Sequence, residues 1–384
     1  MKKILNKILP ELIALRHQIH AHPELAHEEH MTANLIYKML TKFGYHPQYV
    51  SKTGVVTTLD SGKPGKTVAL RADIDALPIQ ECTALSYQSL HPGKMHACGH
   101  DGHAVTLLAV AGLLAHYTTN FKGKIKFIFQ PAEETGTGAA SLIKAGVLDN
   151  PKVDAIFGYH NTPKSDLGVF RTKKDCIHAA QEVFTVSIKG KAAHAAQPQL
   201  AIDPIYIGSL MIQTIQSIVS RLNAPFEPIV LSVTQFHAGT THNIIPEQAV
   251  FNGTIRTITV EARQKVKQQL EEMVISIAST FHATAKIDFS YCFPPTINSD
   301  FETEFALQTA QKILGKEKTA LLTSPSMASE DFSYYLEQVP GCFFWIGMGL
   351  QHLNMHNPSY QFNDDIIPIA AEVLAQIAIN YLNR

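Results

Sequence analysis

The stretch Met95-His96-Ala97-Cys98-Gly99-His100-Asp101-Gly102-His103 sets a thiol and an imidazole two residues apart, at Cys98 and His100. On an extended or loop backbone that spacing lets both side chains face one point. A thiolate beside an imidazole makes a metal-binding pair, and the flanking glycines let the chain turn tightly around it. Cys98 alone would read as a structural buried cysteine. A second stretch argues otherwise: residues 124–130 read as a buried strand that runs into Pro131-Ala132-Glu133-Glu134. Adjacent carboxylates at a strand end point opposite ways, so one can hold a metal while the other holds a water. A surface acidic pair seldom follows a strand as apolar as residues 125–129.

Asp73 and Asp75 form another i, i+2 pair at the end of a strand. A helix cap or a calcium-like loop would also explain them, but the further acidic ligands of an EF-hand are missing. His160 and His356 follow strand-like or turn-like segments and, seen singly, would be satisfied core or loop histidines. The histidines at 17, 20, 22, 27 and 30 crowd around Pro23-Glu24, where local hydrogen bonding is a plainer explanation than a metal-binding tract.

The 384 residues exceed what one hydrophobic core usually supports, so two domains are expected. Lys and Arg (32) nearly cancel Asp and Glu (33), which suggests neither a nucleic-acid nor an anionic-membrane partner. The five cysteines (Cys82, Cys98, Cys176, Cys292 and Cys342) are odd in number and contain no CxxC pair, so a disulfide framework is not expected. Asn6, Lys7, Pro10 and Glu11 interrupt any apolar core of a secretory leader, and no apolar run is long enough to span a bilayer. A cytoplasmic protein is the expectation.

Apolar residues at 4, 5, 8, 9, 12, 13 and 15 predict an opening amphipathic helix, and residues 28–43 a second one ending at Gly44. Strands are predicted at 55–59, 67–71, 124–130 and 153–157, with helices at 104–116 and 138–144 between them. That alternation points to an α/β sandwich with the site at strand ends. From 182 the pattern changes to strand 182–188, helix 203–221, strands 229–236 and 248–257, helix 260–281 and strand 285–291. This βαββαβ order is the ferredoxin-like layout. Segments 301–314, 331–336, 342–346 and 367–382 complete the first domain. The expected organisation is a catalytic metal-binding domain of residues 1–178 and 292–384, with 179–291 inserted.

In this order the chain resembles the M20 metallopeptidase-like amidohydrolases, in their aminoacylase, hippurate hydrolase and N-acetyl-diaminopimelate deacetylase branch. The resemblance rests on Arg16-His17-Gln18-Ile19-His20, His22-Pro23-Glu24-Leu25, residues 69–78, residues 95–103, Phe129-Gln130-Pro131-Ala132-Glu133-Glu134 and Gly158-Tyr159-His160-Asn161. It continues through residues 190–196, Thr241-His242-Asn243-Ile244-Ile245-Pro246, Ser329-Glu330-Asp331-Phe332 and His356-Asn357-Pro358.

The resemblance implies two divalent metal ions per subunit, held by Cys98, His100, Glu134, His160 and His356; thiolate and imidazole suit zinc and carboxylate suits manganese, with cobalt or nickel as alternatives. It makes Glu133 the general base, with Asp75, and Asp73 beside it, positioning a ligand or the base. It implies that the inserted domain is a lid that also dimerises, from which His194 reaches a substrate carbonyl while Asn243 and Arg256 hold the substrate carboxylate. By the residues alone, His194 is a loop histidine and Arg256, ending a strand, is either a bidentate carboxylate grip or a plain salt-bridge arginine.

The implied activity is hydrolysis of an N-acyl amino acid, such as an N-acetyl amino acid or a hippurate-like N-aroyl glycine, to a carboxylate and a free amino acid. A dipeptidase of the same fold and a catalytically silent metal-binding scaffold are the rivals. The intact Glu133 speaks against the scaffold, and the absence of a Gly-x-Ser-x-Gly elbow against a serine hydrolase. Ala192-Ala193, Thr135 and Lys173-Lys174-Asp175 depart from the family pattern at positions that shape the pocket.

Overall fold

The structure, a computed structural model, describes residues 1–384 apart from the side chains of Tyr291 and Cys292; the expectation of an unbridged Cys292 lies outside the described residues. The chain opens with α1 (Lys2–Ala21), α2 (His30–Lys42), β1 (Gln48–Val50), β2 (Gly54–Asp60) and β3 (Thr67–Asp73). It continues through α3 (His100–Leu114), β4 (Lys124–Gln130), α4 (Gly138–Lys144), β5 (Ala155–Thr162), β6 (Phe170–Thr172) and β7 (Asp175–His178). Next come β8 (Ala180–Lys189), β9 (Ala193–His194), α5 (Pro204–Ser220), β10 (Ile229–Ala238), β11 (Ile244–Ile245), β12 (Gln248–Thr257), α6 (Val260–Thr280) and β13 (Thr284–Phe293). The last elements are β14 (Thr296–Asn298), α7 (Asp300–Leu314), β15 (Thr319–Leu321), α8 (Ser333–Leu336), β16 (Gly341–Gly347) and α9 (Ile366–Leu382).

These elements form two compact units. One consists of Met1–Ile177, Thr296–Ser324 and Glu330–Arg384, the other of His178–Pro295 with Pro325–Ser329. In the first, an eight-stranded sheet runs β1-β2-β4-β3-β5-β16-β6-β15. Its centre is parallel: β3 pairs in parallel with β4 and β5, and β16 with β5. Alternate residues of a strand face opposite sides, so Val68, Leu70 and Ala72 pack with α1, α3 and α9 while Ala69 packs with Leu142 of α4 and Tyr335 of α8. With both faces covered, all seven residues of β3 are buried, which is why Val68, Ala69 and Leu70 follow one another without the alternation of a half-exposed strand.

The helix α3 is buried along all fifteen residues, as a helix apolar on every side must be. It starts four residues earlier than the sequence predicts, because His100, Asp101, Gly102 and His103 hide an apolar helix behind a polar first turn. Gly99 makes the early start possible. Its φ is +94°, and a Cβ there would lie 2.6 Å from Asn161 Oδ1 and 2.7 Å from the Tyr360 hydroxyl. The opening helix also runs on to Ala21, past the predicted end at 15, and it contains Pro10.

In the second unit β10, β12, β8 and β13 form an antiparallel sheet in that order. Phe184, Val186, Ile188 and Phe251 pack against Ile207, Met211 and Ile215 of α5 and Val266, Leu270 and Val274 of α6. Side-chain caps set the helix starts: Asp203 accepts from Ile205 N at 2.9 Å, and Thr259 from Ala262 N at 3.1 Å.

The N-terminal histidines do more than bond locally. His20 sets Nδ1 2.9 Å from Asp101 Oδ2 and Nε2 3.3 Å from Glu81 Oε1. Arg16 of the same helix reaches Asp101 at 2.8 Å and also pairs with Asp364. Burial alone would push the His20 imidazolium down, but its bonds to Asp101 and Glu81 overcome that and carry its pKa up to about 9. A folded-state value raised above the unfolded one gives stabilisation that is complete below about pH 6.5 and is lost as pH rises through about 9. Accordingly, the urea midpoint of the protein should fall across that window and that of His20→Gln should fall less; parallel curves would show that His20 does not titrate there.

Candidate metal centre

Since β3, β4, β5 and β16 run parallel, their C-terminal ends share one edge of the sheet, where open α/β sheets place their ligands. Asp73 closes β3 and Asp75 lies just beyond it; Glu133 and Glu134 follow β4; His160 and Asn161 lie near the end of β5; and His356 belongs to the segment after β16. Cys98 and His100 arrive on the turn into α3. The structure refines the local geometry inferred from spacing. Of the extended and loop backbones that the spacing allows, Cys98 takes the loop, from which the left-handed turn at Gly99 leads to His100 at the start of the helix. Glu133 and Glu134 sit in a turn after Ala132, whose φ is +55°, rather than on the strand. His160 is inside β5, which outlasts its apolar run and ends at Thr162.

Donor atoms of Cys98, His100 and His160 lie within 4.8 Å of one another, as do those of Cys98, Glu134 and His356, and those of His100, Glu133 and Glu134. The structure therefore brings all five predicted ligands and the predicted base together. Cys98 Sγ is 3.3 Å from His160 Nε2, and His356 Nε2 is 3.4 Å from Glu134 Oε1. The two aspartates divide their work. Asp75 accepts from His100 Nδ1 at 3.2 Å through Oδ1 and from Glu134 N at 3.0 Å through Oδ2. Asp73 sits 2.6 Å from His103 Nδ1 and 3.9 Å from His100 Nε2.

The side chains present fit a pair of cations. Among the described residues, His100 Nε2 is buried without a hydrogen-bond partner and faces Asp73 Oδ1 and Glu134 Oε1, both at 3.9 Å. With Nδ1 committed to Asp75, the lone pair of Nε2 is the one offered to a metal, the carboxylate–histidine arrangement common behind metal ligands. Electrostatics agree. Burial pushes the His100 imidazolium down, yet Asp73 and the groups around it raise it well above its ordinary value, so the pocket favours positive charge at this point. Burial, and then the neighbouring His103, holds His160 well below its ordinary range and keeps it neutral, the form that ligates.

Glu133 stands in the opposite condition. Burial, then Glu330, Glu134 and Asp331, raise its pKa well above the usual carboxylate range. Arg71 holds this crowd of carboxylates together: it reaches Asp73 at 2.7 Å, Asp331 at 2.7 Å and Glu330 at 3.0 Å, and donates through Nε to Gln130 Oε1 at 2.7 Å. Gln130 Nε2 in turn donates to both Asp331 oxygens at 2.8 Å, and Asp331 N to Glu133 Oε1 at 3.4 Å.

Sequence reasoning gave no role to Arg71, Gln130, His103 or Asn161. His103 could have been found from its i+3 spacing to His100, and Arg71 from being a charge within an otherwise apolar strand. His194, Asn243 and Arg256 all belong to the second unit. His194 pairs with Ile244 across β9 and β11, and Asn243 O accepts from Ala195 N at 3.0 Å, so these two are neighbours. Arg256 Nη1 donates to Ser329 Oγ at 2.6 Å.

A buried thiol, imidazoles and carboxylates gathered at the strand ends of an α/β sheet fit a metal site of the kind that metal-dependent hydrolases use. More narrowly, the chain belongs to peptidase family M20/M25/M40, whose family model matches residues 69–380. It is 38% identical over 383 residues to a hippurate hydrolase of Campylobacter jejuni, covering 98% of this chain and 99% of that protein. It is 39% identical over 380 residues to an N-acetyl-L-cysteine deacetylase of Bacillus subtilis, covering 99% and 90%. Among solved structures it is similar to a Bacillus subtilis protein described as a dinuclear metal-binding peptidase of family M20, with a TM-score of 0.86, 34% identity and coverage of 98% and 99%.

Asp75→Asn should weaken metal binding roughly 10- to 100-fold, because it removes the charge that orients His100. Competition with a chromophoric chelator measures this, and an unchanged affinity would show that His100 needs no such orientation.

Proposed function

We propose that the protein hydrolyses the amide bond of N-acyl amino acids, releasing a carboxylic acid and a free amino acid. One observation carries the reading: the Cys98, His100, Glu134, His160 and His356 donors converge beside a buried carboxylate, Glu133, of raised proton affinity. The relatives named for hydrolysis of hippurate and deacetylation of N-acetyl-L-cysteine support the substrate class.

Cys98, His100, Glu134, His160 and His356 would hold two divalent ions, zinc or manganese, with cobalt or nickel as alternatives. Bound there, such ions supply Lewis acidity that activates water near neutral pH and stabilises charge on the amide oxygen. Glu133 takes a proton from the attacking water, whose oxygen bonds to the carbonyl carbon. When the C–N bond breaks, the same carboxyl returns that proton to the leaving nitrogen, so the base is regenerated. Proton transfer of this kind contributes roughly 10²–10⁴-fold in rate. Asp75 keeps His100 and the Glu134 backbone in register throughout.

In the same proposal residues 179–291 form a ferredoxin-like lid that also builds a homodimer. There His194 donates to the developing oxyanion, and Asn243 and Arg256 hold the substrate carboxylate. The cysteine usage of the sequence supports a cytoplasmic location. A dipeptidase is the second reading, favoured by the relative described as a peptidase; it differs in accepting a free amine on the acyl side.

Glu133→Gln should keep its metal and lose roughly 10²–10⁴-fold in kcat, read from steady-state kinetics beside elemental analysis; full activity would remove the base. Arg256→Lys should raise KM for N-acyl amino acids roughly tenfold, since an ammonium cannot reproduce a bidentate grip. An unchanged KM would mean that the carboxylate is held elsewhere.

A further inference from the structure

We infer that Glu29, just ahead of α2, is a positioning residue that forces the Pro131-Ala132-Glu133-Glu134 turn into the shape that presents the base. The inference rests on Glu133 being that base. Glu29 is fully buried, yet the reaction described above gives it nothing to do. Its Oε1 accepts from Ala132 N at 2.9 Å and from His27 N at 3.0 Å, while Oε2 accepts from the Thr53 hydroxyl at 2.6 Å. A carboxyl group buried at the cost of its hydration and spent on accepting from a backbone N–H marks that amide as worth holding.

The residue it holds is under strain. Ala132 has φ +55°, a left-handed conformation that costs a residue with a Cβ about 1–2 kcal/mol. Its backbone orientation decides where the next residue, Glu133, leaves the chain. The rest of the turn is closed tightly around it. Gly136 N donates to Glu133 O at 2.7 Å and Gly138 N to Ala132 O at 3.1 Å, and a Cβ at Gly138 would lie 1.7 Å from Pro131 O.

The brace is itself fixed. Glu24 accepts from Met31 N at 2.9 Å and Thr32 N at 2.8 Å, which pins the first turn of α2 behind Glu29. His27 Nε2 meets the Thr137 hydroxyl at 2.8 Å, a second tie from the same loop to the far side of the turn. The segment carrying Glu24 and Glu29, close behind Arg16 and His20 in sequence, thus links the N-terminal helices to the turn that bears the base.

Because the effect passes through backbone strain, a second-site change should relieve it. Glu29→Ala should lower kcat roughly ten- to a hundredfold through misplacement of Glu133, with KM as in wild type when assayed at saturating metal. Ala132→Gly alone should stay close to wild type, and adding it to Glu29→Ala should restore most of the lost kcat, because glycine adopts positive φ without the Cβ penalty. Wild-type kcat in Glu29→Ala would overturn the inference, as would a double variant no better than the single one. If Glu29→Ala does not fold, Thr53→Val, which removes only the hydroxyl that orients the carboxylate, takes its place. A several-fold loss of kcat, again recovered by Ala132→Gly, is then expected, and an unchanged kcat overturns the inference. Glu133→Gln in the same assay separates the two ideas: an active Glu133→Gln sinks the base assignment, whereas an inactive one beside a fully active Glu29 variant sinks only the role of Glu29.

Discussion

Arg71 leaves the middle of β3 and meets three carboxylates at 3.0 Å or less, those of Asp73, Glu330 and Asp331. Two unit charges of like sign 4 Å apart repel by roughly 4 kcal/mol even at an effective dielectric constant of 20. A buried site built from so many acids could not close without a cation of its own. Removing one partner from a buried ion group typically costs 3–5 kcal/mol, so this guanidinium holds the segment at 330–331 against the strand ends. The acids it leaves incompletely neutralised give the pocket its preference for positive charge, visible in the raised His100. The strand is buried on both faces, so the arginine has a fixed place from which to do this.

A similar logic governs α3. Its first turn carries Asp101 and His103 into the core, and each finds a partner on another element: Asp101 on Arg16 and His20 of α1, His103 on Asp73 and Asn161. An apolar helix could rotate about its axis at small cost, but one with polar groups committed in several directions cannot. His100 inherits that fixed rotation, and its Nε2 is aimed by the same bonds that satisfy its neighbours.

Much of this was legible in the sequence. The apolar runs of β3 and β4, with the apolar helix stretch between them, carried the α/β alternation, and the resemblance pointed to the five residues, spread along the chain, whose donor atoms converge. What stayed hidden was hidden for physical reasons. The short edge strands β1 and β15 bury too little surface to imprint a pattern. The polar first turn of α3 and the His-Asn-Thr end of β5 broke the hydrophobic periodicity where function required polar atoms. Arg71, Gln130 and Glu29 act through partners far off in sequence, Asp331, Asp331 again and Ala132, and no local spacing can announce such a pairing.

The order of the sheet bears on how the protein is made. The strand β16 lies between β5 and β6, yet it is translated only after the whole of the second unit, and the loop with His356 follows it. A ribosome delivers chains from the N-terminus and domains fold as they emerge. The nascent protein thus carries Cys98, His100, Glu134 and His160 for more than a hundred and fifty residues of synthesis with a gap in the middle of its main sheet. Insertion of one late strand closes that gap and brings up His356, so this architecture ties completion of the sheet to completion of the side-chain cluster at its strand ends.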